Sequence, residues 1–482
     1  MGGVDSTTTI PCPLRSAALA SPGAPAIIGA GRTVTYGELD RRVTLAASEI
    51  RNLGLGEGAR AALYLPKSAD YIVLLHALAR AGCVASPLST RLPPRRVAPL
   101  LEKAGCRAVI SDEGPLDDPE IVRLSPEILL DEPEEHDPSV VPARLALQQP
   151  ATAVFTSGSM GEPKAALHTL GNHYWSARGS NANIPLGPGD RWLHSLPLYH
   201  VGGLSILFRC LLSGAAVALP EPEATLGENI ARSGATHVSL VPTQLLRLLR
   251  EESFDAARLK AILLGGGPMP VPLLEEASGA GLPVHASYGL TEMASQVTTT
   301  RPGASAEELR TSGRALPHRE VSVSGSGEIL VRGETLFAGY LDGDAVVRPF
   351  DEHGWFHTKD LGELDFDGRL RVKGRMDNLF ISGGENVQPE EAEEALCRLE
   401  GVEEAVVVPV PDAEFGHRPA AFVRTDGRPV EPEELARTLG STLPRFKIPI
   451  SFYEWPEGDE GMKVDRAAFR ERARRLHLGK RG

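Results

Sequence analysis

A loop rich in glycine and hydroxyl side chains follows an apolar stretch in the first half of the chain. Residues 153–155 read Ala-Val-Phe, and residues 156–164 read Thr-Ser-Gly-Ser-Met-Gly-Glu-Pro-Lys. Glycines let the backbone approach an anion, hydroxyl and amide groups donate hydrogen bonds, and lysine supplies positive charge. The loop is not a Walker A motif, because Lys164 lies three residues after Gly161. The pattern predicts phosphate binding, and the alternative is an ordinary surface turn.

Four further motifs follow along the chain. They are Leu264-Gly-Gly-Gly-Pro268, Ser287-Tyr-Gly-Leu-Thr-Glu292, Thr358-Lys-Asp-Leu-Gly362 and the glycine-rich segment 374–391. A glycine turn lets backbone lie against a flat base. Each motif alone is a weak signal, but five in this order are specific.

Together the five motifs resemble the adenylate-forming superfamily, which includes acyl-CoA ligases, nonribosomal adenylation domains and luciferases. The resemblance spans roughly residues 33–470. Segments 171–177, 196–209 and 381–388 further resemble the o-succinylbenzoate–CoA ligase family of menaquinone biosynthesis. These segments lie outside the phosphate loop and therefore favour that branch.

The resemblance implies a two-step reaction that uses ATP, Mg²⁺ and coenzyme A. A substrate carboxylate attacks the α-phosphate of ATP, pyrophosphate leaves, and the thiol of coenzyme A then displaces AMP from the acyl-adenylate. Such chemistry needs positioning and charge neutralisation more than a covalent protein nucleophile. The sequence accordingly has no G-x-S-x-G nucleophile elbow.

The resemblance also implies roles for individual residues on the nucleotide side. The residues implied to wrap the phosphates are Thr156, Ser157, Gly158, Ser159, Gly161 and Lys164. Those implied to line the adenine pocket are Gly265, Gly266, Gly267, Ser287, Tyr288 and Gly289. Those implied to be catalytic are Lys463, His200, Glu292 and Thr291, and Glu292 and Thr156 are the implied magnesium ligands. Asp360 is implied to accept the ribose hydroxyls, and Arg375 to reach the ribose or the phosphates.

The acid pocket is expected to contain His200, Ser205, Arg209 and Gly289. Arg209 lies in an apolar segment, and a buried unpaired charge is costly, so we expect an anionic partner. That partner is either the second carboxylate of a dicarboxylic acid or a structural aspartate or glutamate.

The resemblance places a hinge at Asp377, about which a small C-terminal domain rotates between the two half-reactions. Ser382, Gly383 and Gly384 are then implied to face coenzyme A. Three residues depart from the family pattern: Met160 replaces a threonine, Lys359 a glycine and Asn378 an aspartate.

Helix and strand patterns alternate through much of the chain, which predicts parallel βαβ units. The predicted strands are 61–65, 83–87, 108–111, 215–219, 237–241 and 260–264, and Thr35 with Glu38 predicts a capping box. Beyond Gly313 period-two strands predict a small antiparallel or barrel-like subdomain. The acidic, proline-rich segment 112–139 is predicted to be a surface excursion.

The predicted fold class is therefore α/β, with the fold of the adenylate-forming enzymes. A large N-terminal domain, residues 1–375, contains two βαβ lobes and a small β-barrel subdomain. A small mobile α+β domain, residues 376–482, follows and begins with a helix at 389–399 and a strand at 404–410.

Composition excludes several classes of protein. Of 482 residues, 42% are hydrophobic, and Gly 50 with Pro 39 is too few for a disordered chain. The net charge of -13 disfavours nucleic acid and anionic lipid as partners. The five scattered cysteines predict reduced thiols. With no secretory pattern at the N-terminus, and with Arg209 interrupting the apolar window 201–220, we expect a cytoplasmic protein without stable membrane insertion.

The expected partners are a small carboxylic acid, ATP and coenzyme A, and a homo-oligomer is compatible with the sequence. Two other ligase functions remain open: another aryl or medium-chain acid–CoA ligase, and an adenylation enzyme that loads a carrier protein. An inactive nucleotide-binding regulator is disfavoured because Lys164, Glu292, Asp360 and Lys463 are all present.

Overall fold

The computed structural model describes residues 8–29, 31–112, 121–131, 144–156, 163–251, 254–412, 414–428, 431–456 and 464–479. The α-helices in these ranges are α1 (Pro13–Ala20), α2 (Tyr36–Asn52), α3 (Ala69–Ala81), α4 (Pro94–Ala104), α5 (Pro126–Leu130), α6 (Leu170–Asn183), α7 (Val201–Ser213), α8 (Leu226–Ser233), α9 (Pro242–Leu249), α10 (Val271–Gly279), α11 (Ala306–Leu309), α12 (Pro389–Cys397), α13 (Pro432–Leu439) and α14 (Arg466–Gly479).

The strands of the N-terminal half are β1 (Thr9–Pro11), β2 (Pro25–Gly29), β3 (Arg32–Thr35), β4 (Arg60–Leu63), β5 (Val84–Pro87), β6 (Ala108–Ile110), β7 (Val122–Leu124), β8 (Arg144–Ala146), β9 (Pro150–Thr156), β10 (Lys164–Thr169), β11 (Arg191–Leu193), β12 (Ala216–Ala218) and β13 (His237–Leu240). Those that follow are β14 (Ala261–Leu264), β15 (Val284–Leu290), β16 (Ser295–Thr299), β17 (Arg314–Ala315), β18 (Arg319–Val323), β19 (Glu328–Gly333), β20 (Gly339–Asp342), β21 (Ala345–Val347), β22 (Phe356–Leu364), β23 (Leu370–Arg375), β24 (Phe380–Ser382), β25 (Glu385–Val387), β26 (Val402–Asp412), β27 (Gly416–Thr425) and β28 (Phe452–Glu454).

Two large mixed sheets form the first part of the molecule. One has the order β17-β16-β15-β14-β13-β11-β12-β2-β3, with parallel strands at its centre. The other has the order β21-β20-β10-β9-β5-β4-β6-β7 and is parallel from β9 to β7. The two predicted βαβ lobes are therefore present, each extended by antiparallel strands at an edge.

A single apolar cluster joins the two sheets. It includes Ile27 of one sheet, Leu63 of the other, and Leu74 and Leu204 from the helices α3 and α7. All four side chains are almost completely buried. At about 1.5–3 kcal/mol for each buried side chain of this size, the cluster supplies a large share of the stabilising free energy.

Hydroxyl side chains cap the N-termini of several helices. The Thr35 hydroxyl accepts a hydrogen bond from the Glu38 backbone N–H at 3.2 Å, as predicted. The reciprocal half of the predicted capping box is wrong, because the Glu38 carboxylate accepts a hydrogen bond from Arg32 instead. Thr169 and Asn172 form a complete capping box at the start of α6.

The predicted antiparallel subdomain is a four-stranded sheet of order β18-β19-β22-β23, with no closing pair between β18 and β23 in the described residues. A 3-10 turn, Met376–Asn378, follows β23 at the predicted domain boundary. After it come the β24–β25 hairpin and a three-stranded sheet of order β26-β27-β28.

Other sequence-based expectations have mixed outcomes. All five cysteines are free thiols, as predicted, and four of them are buried. Within the predicted surface excursion 112–139, the described residues 121–131 are regular, because β7 pairs with β6 and α5 follows it. Among the described helices, none is both long enough and apolar enough to cross a membrane.

The start of α14 is fixed to α12 by a largely buried ion pair. The Arg466 guanidinium donates to both carboxylate oxygens of Glu393, with Nη2 at 2.9 Å from Oε2, and also to the Val407 carbonyl at 2.9 Å. Glu393 is buried, so removing one partner leaves an uncompensated charge in the small domain.

Replacing Arg466 by methionine should therefore destabilise the small domain by about 3–5 kcal/mol, measured as faster amide hydrogen exchange along β26. The double variant Arg466→Met/Glu393→Leu should recover most of the loss. Arg428→Met removes an exposed ion pair with Glu400 and should leave the exchange unchanged. Equal effects of Arg466→Met and Arg428→Met would contradict this account.

Candidate active site

The two ends of the predicted phosphate loop lie opposite each other on antiparallel strands. Thr156 ends β9, Lys164 begins β10, and the two residues are paired in register. The Lys164 side chain is exposed, and its Nζ lies 5.0 Å from the centre of the Tyr340 ring. The predicted loop residues Ser157, Gly158, Ser159 and Gly161, and the departure Met160, lie outside the described residues.

The glycine turn after β14 packs against the neighbouring strand β15. A Cβ added at Gly265 would lie 2.8 Å from the Ser287 hydroxyl oxygen, and Gly266 has a left-handed φ of 84°. The Ser287 hydroxyl also donates to the Leu264 carbonyl at 3.1 Å. Gly267 completes the turn and, like Gly266, is exposed. The structure thus brings this turn and Ser287 together, at the carboxyl ends of two parallel strands.

Three of the predicted nucleotide-binding residues form a connected group. The Tyr288 hydroxyl donates to Asp360 Oδ2 at 2.7 Å, and Arg375 Nε lies 3.3 Å from Asp360 Oδ1. Asp360 and Arg375 face each other on β22 and β23. Burial, and next the negative charge of Asp360, raise the pKa of the Tyr288 phenol well above its usual value, so it remains a donor.

A short 3-10 turn, Thr291–Met293, carries the predicted catalytic pair Thr291 and Glu292. His168 Nε2 lies 2.7 Å from the Thr291 carbonyl, and the Phe337 N–H donates to the Glu292 carbonyl at 2.8 Å. Burial lowers the pKa of His168 to about 4, so a neutral imidazole donates this hydrogen bond. The Glu292 carboxylate accepts a hydrogen bond from the Tyr340 hydroxyl at 2.6 Å.

Of the residues predicted for the acid pocket, Arg209 and Ser205 lie close together, whereas His200 is exposed at the start of α7. Arg209 Nη2 donates to the Ser295 hydroxyl at 3.1 Å, and Ser205 Oγ lies 3.3 Å from that same oxygen. Gly289 lies beside Ser295, because a Cβ there would meet the Ser295 carbonyl at 2.2 Å. His200 is exposed, precedes α7 and packs on the Tyr199 ring at 4.7 Å.

Arg209 is fully buried and has no acidic partner within the described part of the chain. Its Nε and Nη1 have no hydrogen-bond partner there, and its guanidinium lies 5.1 Å from the centre of the Trp192 ring. Burial lowers the pKa of this guanidinium, because desolvation disfavours the charged form. Of the two partners expected from the sequence, a structural aspartate or glutamate is therefore wrong for the described residues.

The remaining predicted residues lie in and after the hinge turn. Asp377 lies 3.5 Å from Lys359 Nζ. Ser382 is buried, whereas Gly383 and Gly384 are exposed with left-handed φ values of 59° and 85°. A Cβ at Gly383 would lie 2.6 Å from the Phe415 ring, which explains glycine at that position. Lys463 lies outside the described residues.

Comparison with known protein families covers both parts of the chain. The family described as AMP-binding enzyme matches residues 14–341, and the AMP-binding enzyme C-terminal domain matches residues 391–457. The chain belongs to the AMP-binding enzyme family. Curated relatives include the 2-succinylbenzoate–CoA ligase of Bacillus cereus (strain ATCC 14579), 33% identical over 92% of this chain and 93% of that protein. The enzyme of the same name from Escherichia coli (strain K12) is 36% identical over 91% of this chain and 93% of that protein.

Solved structures of the same group superpose on this AMP-binding enzyme. The o-succinylbenzoate CoA synthetase (MenE) of Bacillus subtilis in complex with the acyl-adenylate intermediate OSB-AMP gives a TM-score of 0.87 at 33% identity, covering 96% of this chain and 98% of that one. The same protein in complex with ATP and magnesium ion gives 0.85 at 33% identity, covering 93% and 96%. The predicted adenylate-forming fold and the predicted family resemblance are both confirmed.

Sequence reasoning missed several residues of this AMP-binding enzyme's site. Tyr340, Ser295 and Trp192 contact predicted site residues, but none stands in a motif that signals chemistry by itself. The aromatic pair Tyr174 and Trp175 of α6 is partly exposed and packs with Arg178 and His318. Among the described histidines, cysteines and acidic residues, no group of three or more could hold a metal.

Because Arg209 is buried without a countercharge, replacing it by methionine should raise the free energy of unfolding by about 1–4 kcal/mol, measured by urea denaturation. Arg80 is the matched control, since it is equally buried but paired with Asp40 at 2.6 Å and Thr44 at 2.8 Å. Arg80→Met should lower the free energy of unfolding by about 3–5 kcal/mol. Destabilisation of similar size in both variants would show that Arg209 has a countercharge in the free protein.

Proposed function

We propose that this AMP-binding enzyme ligates 2-succinylbenzoate to coenzyme A in the cytoplasm, at the expense of ATP. The observation that carries the proposal is the buried Arg209, a cation beside the site with unused donors. A ligand with two carboxylates can have one activated while the other pairs with this guanidinium. The curated relatives named 2-succinylbenzoate–CoA ligase, similar over nearly the whole chain, support this dicarboxylic acid.

In the first half-reaction an oxygen of the substrate carboxylate bonds to the α-phosphorus of ATP, and the bond to pyrophosphate breaks. We expect Tyr288 and Asp360, which share a hydrogen bond, to hold the adenine and ribose, and the exposed Lys164 to meet the outer phosphates. Lys463 would bridge the substrate carboxylate and the α-phosphate, as the family resemblance implies. No protein nucleophile is needed, because positioning and charge neutralisation lower the barrier.

Magnesium fits the residues that surround the phosphate position. Glu292 is half-buried, and Tyr340 occupies only one of its two carboxylate oxygens in the contacts described. Mg²⁺ typically takes one or two protein carboxylates and completes its shell with phosphate oxygens and water. Glu292, together with the Thr156 hydroxyl at the end of β9, would therefore hold the ion, which would neutralise charge on the departing pyrophosphate.

In the second half-reaction the thiolate sulfur of coenzyme A bonds to the acyl carbon, the bond to AMP breaks, and the thiol proton passes to solvent. The turn Ser382–Gly384, which is exposed at its two glycines, precedes the strand β25 and would face this reactant after rotation about Asp377. Domains of such enzymes are gated by hinge residues at element ends, where the Met376–Asn378 turn lies.

A second candidate function, ligation of another aryl or medium-chain acid, would use the same nucleotide residues. Arg209 favours the dicarboxylic acid, because an aliphatic monocarboxylate would leave its guanidinium buried and unpaired. Loading of a carrier protein would replace coenzyme A by another thiol without changing the acid pocket.

The test measures AMP release and thioester formation with ATP, Mg²⁺, coenzyme A and a panel of acids. The panel holds 2-succinylbenzoate, its two monocarboxylic analogues 4-oxo-4-phenylbutanoate and 2-butanoylbenzoate, and octanoate. The analogue that keeps the activated carboxylate but lacks the other one loses only the charge-assisted hydrogen bonds to Arg209, so its kcat/KM should fall by roughly 10–100-fold. The analogue that lacks the activated carboxylate should not react. Arg209→Met should remove most of that discrimination. A preference for octanoate, or turnover only with a carrier protein, would contradict the proposal.

Lys463 provides a separate test of the two half-reactions. Lys463→Ala should abolish formation of the acyl-adenylate but leave thioester formation from supplied acyl-adenylate largely intact, because the lysine is needed only where charge develops on the α-phosphate. Single-turnover assays of each half-reaction measure this. Lys103→Ala, which changes a surface lysine paired with Asp342, is the control. Equal loss of both half-reactions would argue against the assigned role.

A further inference from the structure

Tyr340 is the one side chain in the described contacts that donates a hydrogen bond to the carboxylate of Glu292. Its hydroxyl lies 2.6 Å from Glu292 Oε1. A phenol has an ordinary pKa of about 10 and keeps its proton at neutral pH, so the Tyr340 hydroxyl is the donor in this contact. The carboxylate is therefore the acceptor, and the contact fixes the direction in which its second oxygen points.

The position of Tyr340 follows from strand pairing. β20 lies beside β10, and Tyr340 is opposite Ala166, two residues along the strand from Lys164. The Lys164 ammonium group consequently lies over the Tyr340 ring, 5.0 Å from its centre. One side chain thus contacts both the cation expected to meet the phosphates and the carboxylate expected to hold the metal.

Other contacts hold the backbone of the turn independently of Tyr340. The Phe337 N–H and His168 Nε2 bind the carbonyl groups of Glu292 and Thr291 at 2.8 and 2.7 Å. Loss of the Tyr340 hydroxyl would therefore free the Glu292 side chain without releasing the turn. An ordinary packing role would depend on the ring alone, which meets the Phe337 ring edge to face at 4.8 Å.

We propose that Tyr340 is a positioning residue for the metal-binding carboxylate: it holds Glu292 Oε1 and directs Oε2 to Mg²⁺ bound with ATP. A carboxylate held in one rotamer loses less conformational entropy when it binds the ion. Hydrogen bonds from outer residues to metal ligands typically change metal affinity by about 10–100-fold. This inference rests on the proposed function, since it requires that the protein bind ATP with magnesium.

The experiment titrates Mg²⁺ against the full-length protein at fixed ATP and measures nucleotide binding by calorimetry. Tyr340→Phe keeps the ring and should raise the Mg²⁺ concentration at half-maximal binding by about 10-fold. Binding of AMP without metal should change less than twofold, because adenine and ribose contacts remain. Tyr64→Phe is the matched control, since its hydroxyl donates to the Leu92 carbonyl at 2.8 Å, and it should leave both values unchanged.

A double-mutant cycle tests whether Tyr340 affects Mg²⁺ binding through Glu292. In a Glu292→Gln background, Tyr340→Phe should cause no further shift, because the group it positions is already altered. An unchanged Mg²⁺ dependence in Tyr340→Phe, an equal loss of AMP binding, or an additive shift in the double variant would overturn this inference alone. Wild-type protein that binds no ATP at any Mg²⁺ concentration would overturn the proposed function as well.

Discussion

A left-handed backbone at two non-glycine residues joins the nucleotide side of the site to the acid side. Ala294 and Ser295 have φ values of 51° and 118°, and such conformations cost on the order of 1–3 kcal/mol each. Surrounding hydrogen bonds hold them, among them one from the Ser176 hydroxyl to the Ala294 carbonyl at 2.8 Å. On one side of these two residues the Glu292 carboxylate faces Tyr340 of β20, and on the other the Ser295 hydroxyl faces Arg209. A relaxed backbone there would separate the two halves of the proposed reaction.

The local distribution of charge in this protein differs from its net charge. The chain carries a net charge of -13, yet two arginines are buried near the acid pocket without a carboxylate partner in the described residues. Arg319 donates to the carbonyls of Pro317, Gln296 and Ser176, whereas Arg209 keeps two nitrogens without acceptors. Hydrogen bonds to backbone dipoles compensate the first charge in part, and the second is left for an anion. An acidic surface and an anion-binding interior are therefore compatible.

Local sequence signals predict most of the strands and several of the candidate site residues. The strands β4, β5, β13 and β14 match their predicted segments within two residues, because buried parallel strands read as short apolar runs. Lys164 and Asp360 lie on β10 and β22, which pair antiparallel with their neighbours, and Glu292 lies in the turn after β15. Tyr340 could not be found in that way. Its contacts with Lys164 and Glu292 depend on the pairing of strands far apart in the chain, and no local pattern encodes that pairing.

Contacts with the hinge turn explain the two residues Lys359 and Asn378, which depart from the family pattern. Lys359 has a left-handed φ of 62°, which explains why glycine suits this position, and its side chain extends to Asp377 rather than to Asp360. The ion pair is half-exposed and is worth at most about 1 kcal/mol, comparable to the cost of the backbone conformation. Asn378 donates to the Glu390 carboxylate at 2.6 Å, a bond that a second aspartate could not make. Both departures thus act on the hinge turn and leave the oxygens of Asp360 with Tyr288 and Arg375.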